Sequence, residues 1–289
     1  MSQSHPIQRL SFNHGFRWLP AAADIMARHI GPIIGIAAIW LLVSMVAVMV
    51  PVVGQLFLIV FTPLLTAGIL IAFDQIGQGL RPRPTTLFEA WKEPLLRYRL
   101  ILVGLFSLAA MMAAAMVIVA WMTAQLGAET LESLAGAEPE VLVEALVGTS
   151  FGPGLFLAAA IFALALAAVY FAIPLIAFGR WGVARSLGYS LKAMVINWLA
   201  MLGFGVALFL VLMAFMVIAM VLMAVLSLAL GEVGAMLAQI PVLIGGMAIQ
   251  VLTIGAQYLA FCQIFGWTPG PEEDTRTPPS QDPPDSLSL

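Results

Sequence analysis

Six stretches of this chain each run for nineteen or more residues without a charged side chain, and no other feature limits the fold as strongly. They are residues 31–50, 55–73, 100–125, 154–178, 198–230 and 236–265. A helix needs roughly 20 apolar residues to cross a hydrocarbon layer about 30 Å thick. Residues 31–73 taken as one helix would be about 65 Å long, twice that thickness. Pro51 and Gly54 instead mark a tight turn between two spans. The fifth stretch exceeds a straight crossing, so it tilts or projects.

Composition agrees. Only 9% of the 289 residues are charged and 62% are apolar, against about 25% charged in soluble domains. The net charge of −3 singles out neither an acidic nor a basic partner. Cys262 is the only cysteine, so no intrachain disulfide forms. The N-terminus lacks the pattern of a cleaved secretory signal. The expected fold class is all-α: a polytopic transmembrane helix bundle of about six spans in three hairpins, each preceded by an interfacial amphipathic helix. Residues 1–11 are expected to be a flexible N-terminus, 12–266 the membrane domain and 267–289 a disordered Pro-rich acidic tail.

The cations set the orientation. Arg9, Arg17 and Arg28 precede the first span; Arg81, Arg83, Lys92, Arg97 and Arg99 follow the second. Arg180, Arg185 and Lys192 follow the fourth, and Arg276 lies in the tail. These are all twelve Lys and Arg residues, and six crossings put them on one side. The third-to-fourth loop carries Glu129, Glu132, Glu138, Glu140 and Glu144 instead. Basic residues stay cytoplasmic during insertion, so both termini are expected inside.

Phe12, Phe16, Leu19, Ala23, Met26 and Ile30 recur at helical spacing, with an expected Asp24–Arg28 pair one turn apart. Thr86-Leu-Phe-Glu89 reads as a capping box, and Pro94 suits the first turn of the third span. Trp181, Ala184, Leu187, Leu191, Met194 and Trp198 form another stripe, with Arg185 and Lys192 turned away. The expected interfacial anchors are Arg17, Trp18, Trp91, Trp181, Arg185 and Trp198, since tryptophan favours the headgroup boundary. Pro63, Pro174 and Pro241 each lie five residues before a glycine, at unequal depths; triplication and the ordinary abundance of Pro and Gly in membrane helices both account for this.

The Arg17-Trp18 helix, Pro63-Leu-Leu-Thr-Ala-Gly68, Gly77, Gly79, Leu87-Phe88, Arg185-Ser186 and Asn197-Trp198 together resemble an uncharacterised family of six-helix bacterial inner-membrane proteins of unknown function. The family is loosely similar to the membrane domain of some glycerophosphoryl diester phosphodiesterases. The resemblance spans roughly residues 9–266 and implies a bacterial inner membrane and a shared fold, without activity or catalytic residues.

Chemistry-bearing motifs are sparse. Gly148-Thr-Ser150-Phe-Gly152 matches a nucleophile elbow, but His5, His14 and His29 all fall on the opposite side, leaving the serine without a base. No catalytic, metal or cofactor residue is expected. Met213, Met216, Met220 and Met223 share a face that can bind copper(I) or simply pack. Asp74, at the exit of the second span, is either a functional carboxylate or a solvated helix end. Gln250, Thr253 and Gln257 form a polar stripe that lines a path or glues helices together. The small residues of 158–168 read as close helix packing. The expected partners are the lipid bilayer, with anionic headgroups at the cytoplasmic face, and a membrane-protein partner or homo-oligomer; no nucleic acid is expected. The leading functional expectation is a non-enzymatic protein acting through lipid or protein contacts. The alternative is a transporter of a small solute or lipid that uses the sixth span's polar face.

Overall fold

The structure is a computed structural model that describes residues 7–127, 130 and 152–269. Among these residues there are only helices and connecting segments, with no strand. Helix α1 is Phe12–Arg28, α2 Ile30–Val48 and α3 Val53–Gly77. A 3-10 turn, Pro84–Phe88, and a single turn α4, Glu89–Lys92, lead into α5, Pro94–Leu126. Then come α6 Gly152–Ala177, α7 Val183–Ile196, α8 Trp198–Leu230 and α9 Glu232–Phe265. Helices α2, α3, α5, α6, α8 and α9 are the six long and apolar enough to cross a membrane. The chain is an all-α integral membrane bundle of three hairpins.

Helix α2, with 19 residues, is about 28 Å long and matches one crossing. The first hairpin turns where expected, and Gly54 lets its backbone approach the Ala47 carbonyl. The second and third hairpins are longer: α8 has 33 residues, about 50 Å. Its buried residues, Ala200, Gly203, Phe204 and Ala207, all lie in its first three turns. Most of α8 therefore lies exposed on the outside of the bundle.

The second helices of the hairpins, α3, α6 and α9, meet at the centre. Their buried residues concentrate toward the end that carries the chain termini: 63–74 on α3, 165–177 on α6 and 251–265 on α9. Helix α6 packs on both α5 and α7, and Ala158, Ala165 and Ala168 of its small-residue run are buried.

The interfacial elements are placed in a ring. The 3-10 turn packs on α2 and α3, and α7 packs on α6, so each covers the hairpin before it. Helix α1 closes the ring by packing on α8 and α9 rather than on its neighbour α2. That crossing is close because both helices offer glycine. A Cβ on Gly15 would lie 1.7 Å from the Ala200 carbonyl oxygen, and one on Gly203 would lie 2.2 Å from that of Phe12.

Several local expectations need correction. On α1 the protein-facing residues are Gly15, Trp18, Leu19 and Ala22, whereas Phe12 and Phe16 point outward, as does Ile30 at the start of α2. In a bilayer both faces of such a helix can be apolar, so an apolar stripe does not identify the packed side. The Asp24–Arg28 pair is not among the ion pairs of the described residues, which are Lys92–Glu89 and Arg180–Glu93. Thr86 is not an N-cap: its hydroxyl accepts from the Arg83 N–H at 3.1 Å inside the 3-10 turn, and Glu89 instead pairs with Lys92. Pro94 does begin α5.

Candidate functional site

Pro174 organises the polar interior. It has no N–H, so the carbonyl of Tyr170, four residues earlier, loses its helical donor. The side-chain amide of Gln257 on α9 reaches across and donates to that carbonyl. One turn earlier, the Ser190 hydroxyl of α7 bridges the groups that an α-helix pairs directly. It accepts from the Phe171 N–H at 2.9 Å and donates to the Ala167 carbonyl at 2.6 Å. An inserted side chain and a proline are the usual causes of helix bending. Both interruptions of α6 are thus met by neighbouring helices.

The three residues of the predicted polar stripe are placed differently. Gln257 is 5% exposed. Thr253 donates to the Ile249 carbonyl of its own helix at 2.8 Å. Gln250 is half-buried and has no hydrogen-bond partner among the described residues.

Asp74 is buried, at 8% exposure, so it is not a solvated helix end. Its Oδ1 accepts from the Tyr258 hydroxyl at 2.8 Å and from Trp267 Nε1 at 3.0 Å, and its Oδ2 accepts from Gln78 Nε2 at 2.7 Å. Trp267 reaches this position because Gly266 takes the left-handed conformation (φ 66°) and turns the chain back over α9. Its indole then stacks on Phe178 at 5.3 Å. All three neighbours of Asp74 donate, so only an acceptor satisfies them. The cluster ties the ends of α3 and α9 together.

Asn197, fully buried at the α7–α8 corner, does a similar job for the other terminus. Its Oδ1 accepts from the Leu10 N–H at 2.8 Å, and its Nδ2 donates to the Gln8 carbonyl at 3.0 Å. The Gln8 N–H donates to the Ile264 carbonyl at 2.9 Å. Residues 8–10, within the segment expected to be flexible, are therefore held against the ends of α7 and α9.

The expected anchors divide into two kinds. Trp18 is no headgroup anchor: it is 1% exposed, packs beside Phe204, and donates from Nε1 to Gln263 Oε1 at 2.9 Å. Trp91 is half-buried and stacks on Phe61 at 5.2 Å. Arg17 and Trp198 are exposed. On α7, the Arg185 guanidinium lies 4.0 Å over the Trp181 ring and 5.6 Å from that of Tyr189, while Lys192 Nζ lies 5.9 Å from Tyr189. The face of α7 packed on the bundle is Ser186, Ser190 and Ala193, continued by Asn197, a small and polar stripe that the large-residue pattern overlooks. The spacing of those residues, three or four apart, was the available signal.

Of the four methionines on α8, Met213, Met216 and Met220 are exposed and Met223 is half-buried, so they do not fill gaps in the bundle core. No cluster of His, Cys, Asp or Glu able to hold a metal occurs among the described residues. Ser150, the glutamates of the third-to-fourth loop and the acidic tail from residue 270 lie outside the described residues. A groove at the turn of the first hairpin, between Leu42, Val46, Val53 and Phe57, has an apolar lining throughout. The Pro-to-Gly echo does not mark one shared contact. Gly68 lies against the Leu87 backbone, Gly179 beside Trp181, and Gly246 beside nothing.

Comparison with protein-family models, with curated proteins and with solved structures finds no match.

Proposed function

We propose that this chain is a non-enzymatic protein of a bacterial inner membrane, with both termini cytoplasmic, that acts by contact with anionic lipids or with a membrane partner. One observation carries the reading. Gln257, Ser190, Asn197 and Asp74 are all consumed by hydrogen bonds inside the bundle. A transport path or an acid–base site needs such groups directed at a cavity. Arg185, Lys192 and Trp198 instead sit exposed at the end that carries the termini. The confinement of all cations to that side supports the cytoplasmic assignment.

Purification in a mild detergent tests the proposal. Co-isolation of anionic phospholipid, a second copy or a partner in fixed ratio is expected; recovery as a lone, lipid-free chain contradicts it. Solute or lipid uptake into proteoliposomes that is lost in Gln250→Ala and Gln257→Leu would favour the transporter instead.

A further inference from the structure

Trp267 and Pro269 fix where the C-terminal tail leaves the fold. The Trp267 indole is bonded to Asp74 Oδ1 at 3.0 Å, and Pro269 lies against Gly77 at the end of α3. A Cβ on Gly77 would lie 2.8 Å from the Pro269 Cγ, so the chain crosses that helix end closely because residue 77 is glycine. Two cations stand beside this exit. Arg9 follows Gln8, whose N–H donates to the Ile264 carbonyl at 2.9 Å and whose Nε2 lies 3.7 Å from where a Gly266 Cβ would be. Arg81 follows Leu80, whose N–H donates to the Gln75 carbonyl at 2.8 Å and so holds the chain against the last turns of α3. Both arginines are exposed, and neither belongs to the two ion pairs found among the described residues.

The sequence that follows is acidic. After Gly270 and Pro271 come Glu272, Glu273 and Asp274, and residues 270–289 hold five acidic side chains against one cation, Arg276. An extended chain spans at most about 3.3–3.6 Å per residue, so these three carboxylates, three to five residues past Pro269, reach about 10–18 Å from it. Arg81 is four residues along the chain from Gly77, and Arg9 is one residue from the contact with Gly266, so both side chains come within that reach. A single exposed ion pair is weak. A segment tethered to its own partners by two residues binds at a local concentration in the roughly millimolar range, which offsets that weakness.

We propose that Glu272, Glu273 and Asp274 dock on Arg9 and Arg81 of the same chain and compete there with anionic phospholipid headgroups. The docking follows from the anchored exit and the opposed charges. The competition rests on the lipid-contact reading above and makes the tail a self-blocking contact. Guanidinium donors suit carboxylate and phosphate oxygens alike, so one anion can stand in for the other. Where headgroup phosphate is plentiful the tail is displaced, and where it is scarce the tail covers the two cations.

Double electron–electron resonance on the full chain tests both parts, with spin labels at Thr275→Cys and Thr85→Cys in a Cys262→Ala background. In phosphatidylcholine nanodiscs at about 0.02 M salt, one narrow distance is expected. Raising the salt to about 1 M, where screening acts within about 3 Å, should broaden and lengthen it. The same change is expected from Glu272→Gln with Glu273→Gln and Asp274→Asn, and from Arg9→Gln with Arg81→Gln. Both arginines are exposed, so their replacement leaves the packing intact. Phosphatidylglycerol at about a third of the lipid should also broaden the distance. A broad distribution that neither salt nor the carboxylate substitutions alter overturns the docking. A narrow distance that survives the arginine substitutions rejects these two cations as the seat. Docking that the charge substitutions abolish but phosphatidylglycerol leaves intact rejects the competition. The lipid-contact reading itself is judged separately, by whether the wild type co-isolates phosphatidylglycerol.

Discussion

Gln257 donates its side-chain amide to the carbonyl of Tyr170, the one backbone acceptor that Pro174 deprives of its helical partner. One bond thus explains why a proline is tolerated in a lipid-embedded helix and why a glutamine stands at that depth. An orphaned carbonyl in hydrocarbon has no water to turn to.

Gln257→Leu is expected to cost about 1–2 kcal/mol, toward the upper end of membrane hydrogen-bond values because the carbonyl has no alternative donor. Pro174→Ala restores an N–H for Tyr170, so in that background the same substitution should cost only a few tenths. Unfolding in a denaturing detergent series measures both. Additive effects would show that the two residues do not share the carbonyl.

Ser190→Ala should be milder than Gln257→Leu, within about 1 kcal/mol. The Phe171 N–H and Ala167 carbonyl that Ser190 bridges can pair with each other once the hydroxyl is gone. The same unfolding assay gives the order, and a larger loss from Ser190→Ala contradicts it.

At Asp74 the expected requirement is for an acceptor. Asp74→Asn keeps Oδ1 for Tyr258 and Trp267, and Gln78 can turn its amide oxygen toward the new NH2 group. Its cost should stay near 1 kcal/mol. Asp74→Leu strands two donors, at about 1–3 kcal/mol each, and should release Trp267. Thermal unfolding with tryptophan emission separates the cases. An Asn variant as damaged as the Leu variant would mean that the carboxylate itself is needed.

Asn197→Ala removes both side-chain bonds to residues 8 and 10. Amide exchange at Leu10 should quicken about tenfold or more, at roughly 1.4 kcal/mol per decade, while exchange in α3 is unchanged. Hydrogen exchange followed by mass spectrometry reads this directly.

The six crossings and the hairpin turn at Pro51 were legible because charge-free runs and bilayer thickness leave few alternatives. The packed faces of the interfacial helices were not. In water the apolar side of a helix is the buried side, but beside lipid Phe12 and Phe16 are at ease facing outward while Gly15, Trp18 and Ala22 pack. Trp18 therefore looked like an anchor and is core. The polar contacts were half-legible. Pro174 announces an unpaired carbonyl at Tyr170 and Gln257 is a donor at depth, but only the packing of α6 on α9 brings them together. Asp74 was visible as a carboxylate at the exit of the second span, whereas Trp267, its partner 193 residues away, lay in a segment read as tail.

The arrangement as a whole depends on every cation lying at the end that holds the termini. Single cysteines in a Cys262→Ala background, probed with a membrane-impermeant maleimide on intact cells, test this most directly. Gln125→Cys should label from outside, whereas Arg83→Cys and Arg185→Cys should label only after permeabilisation. Labelling of Arg83→Cys on intact cells would contradict the account.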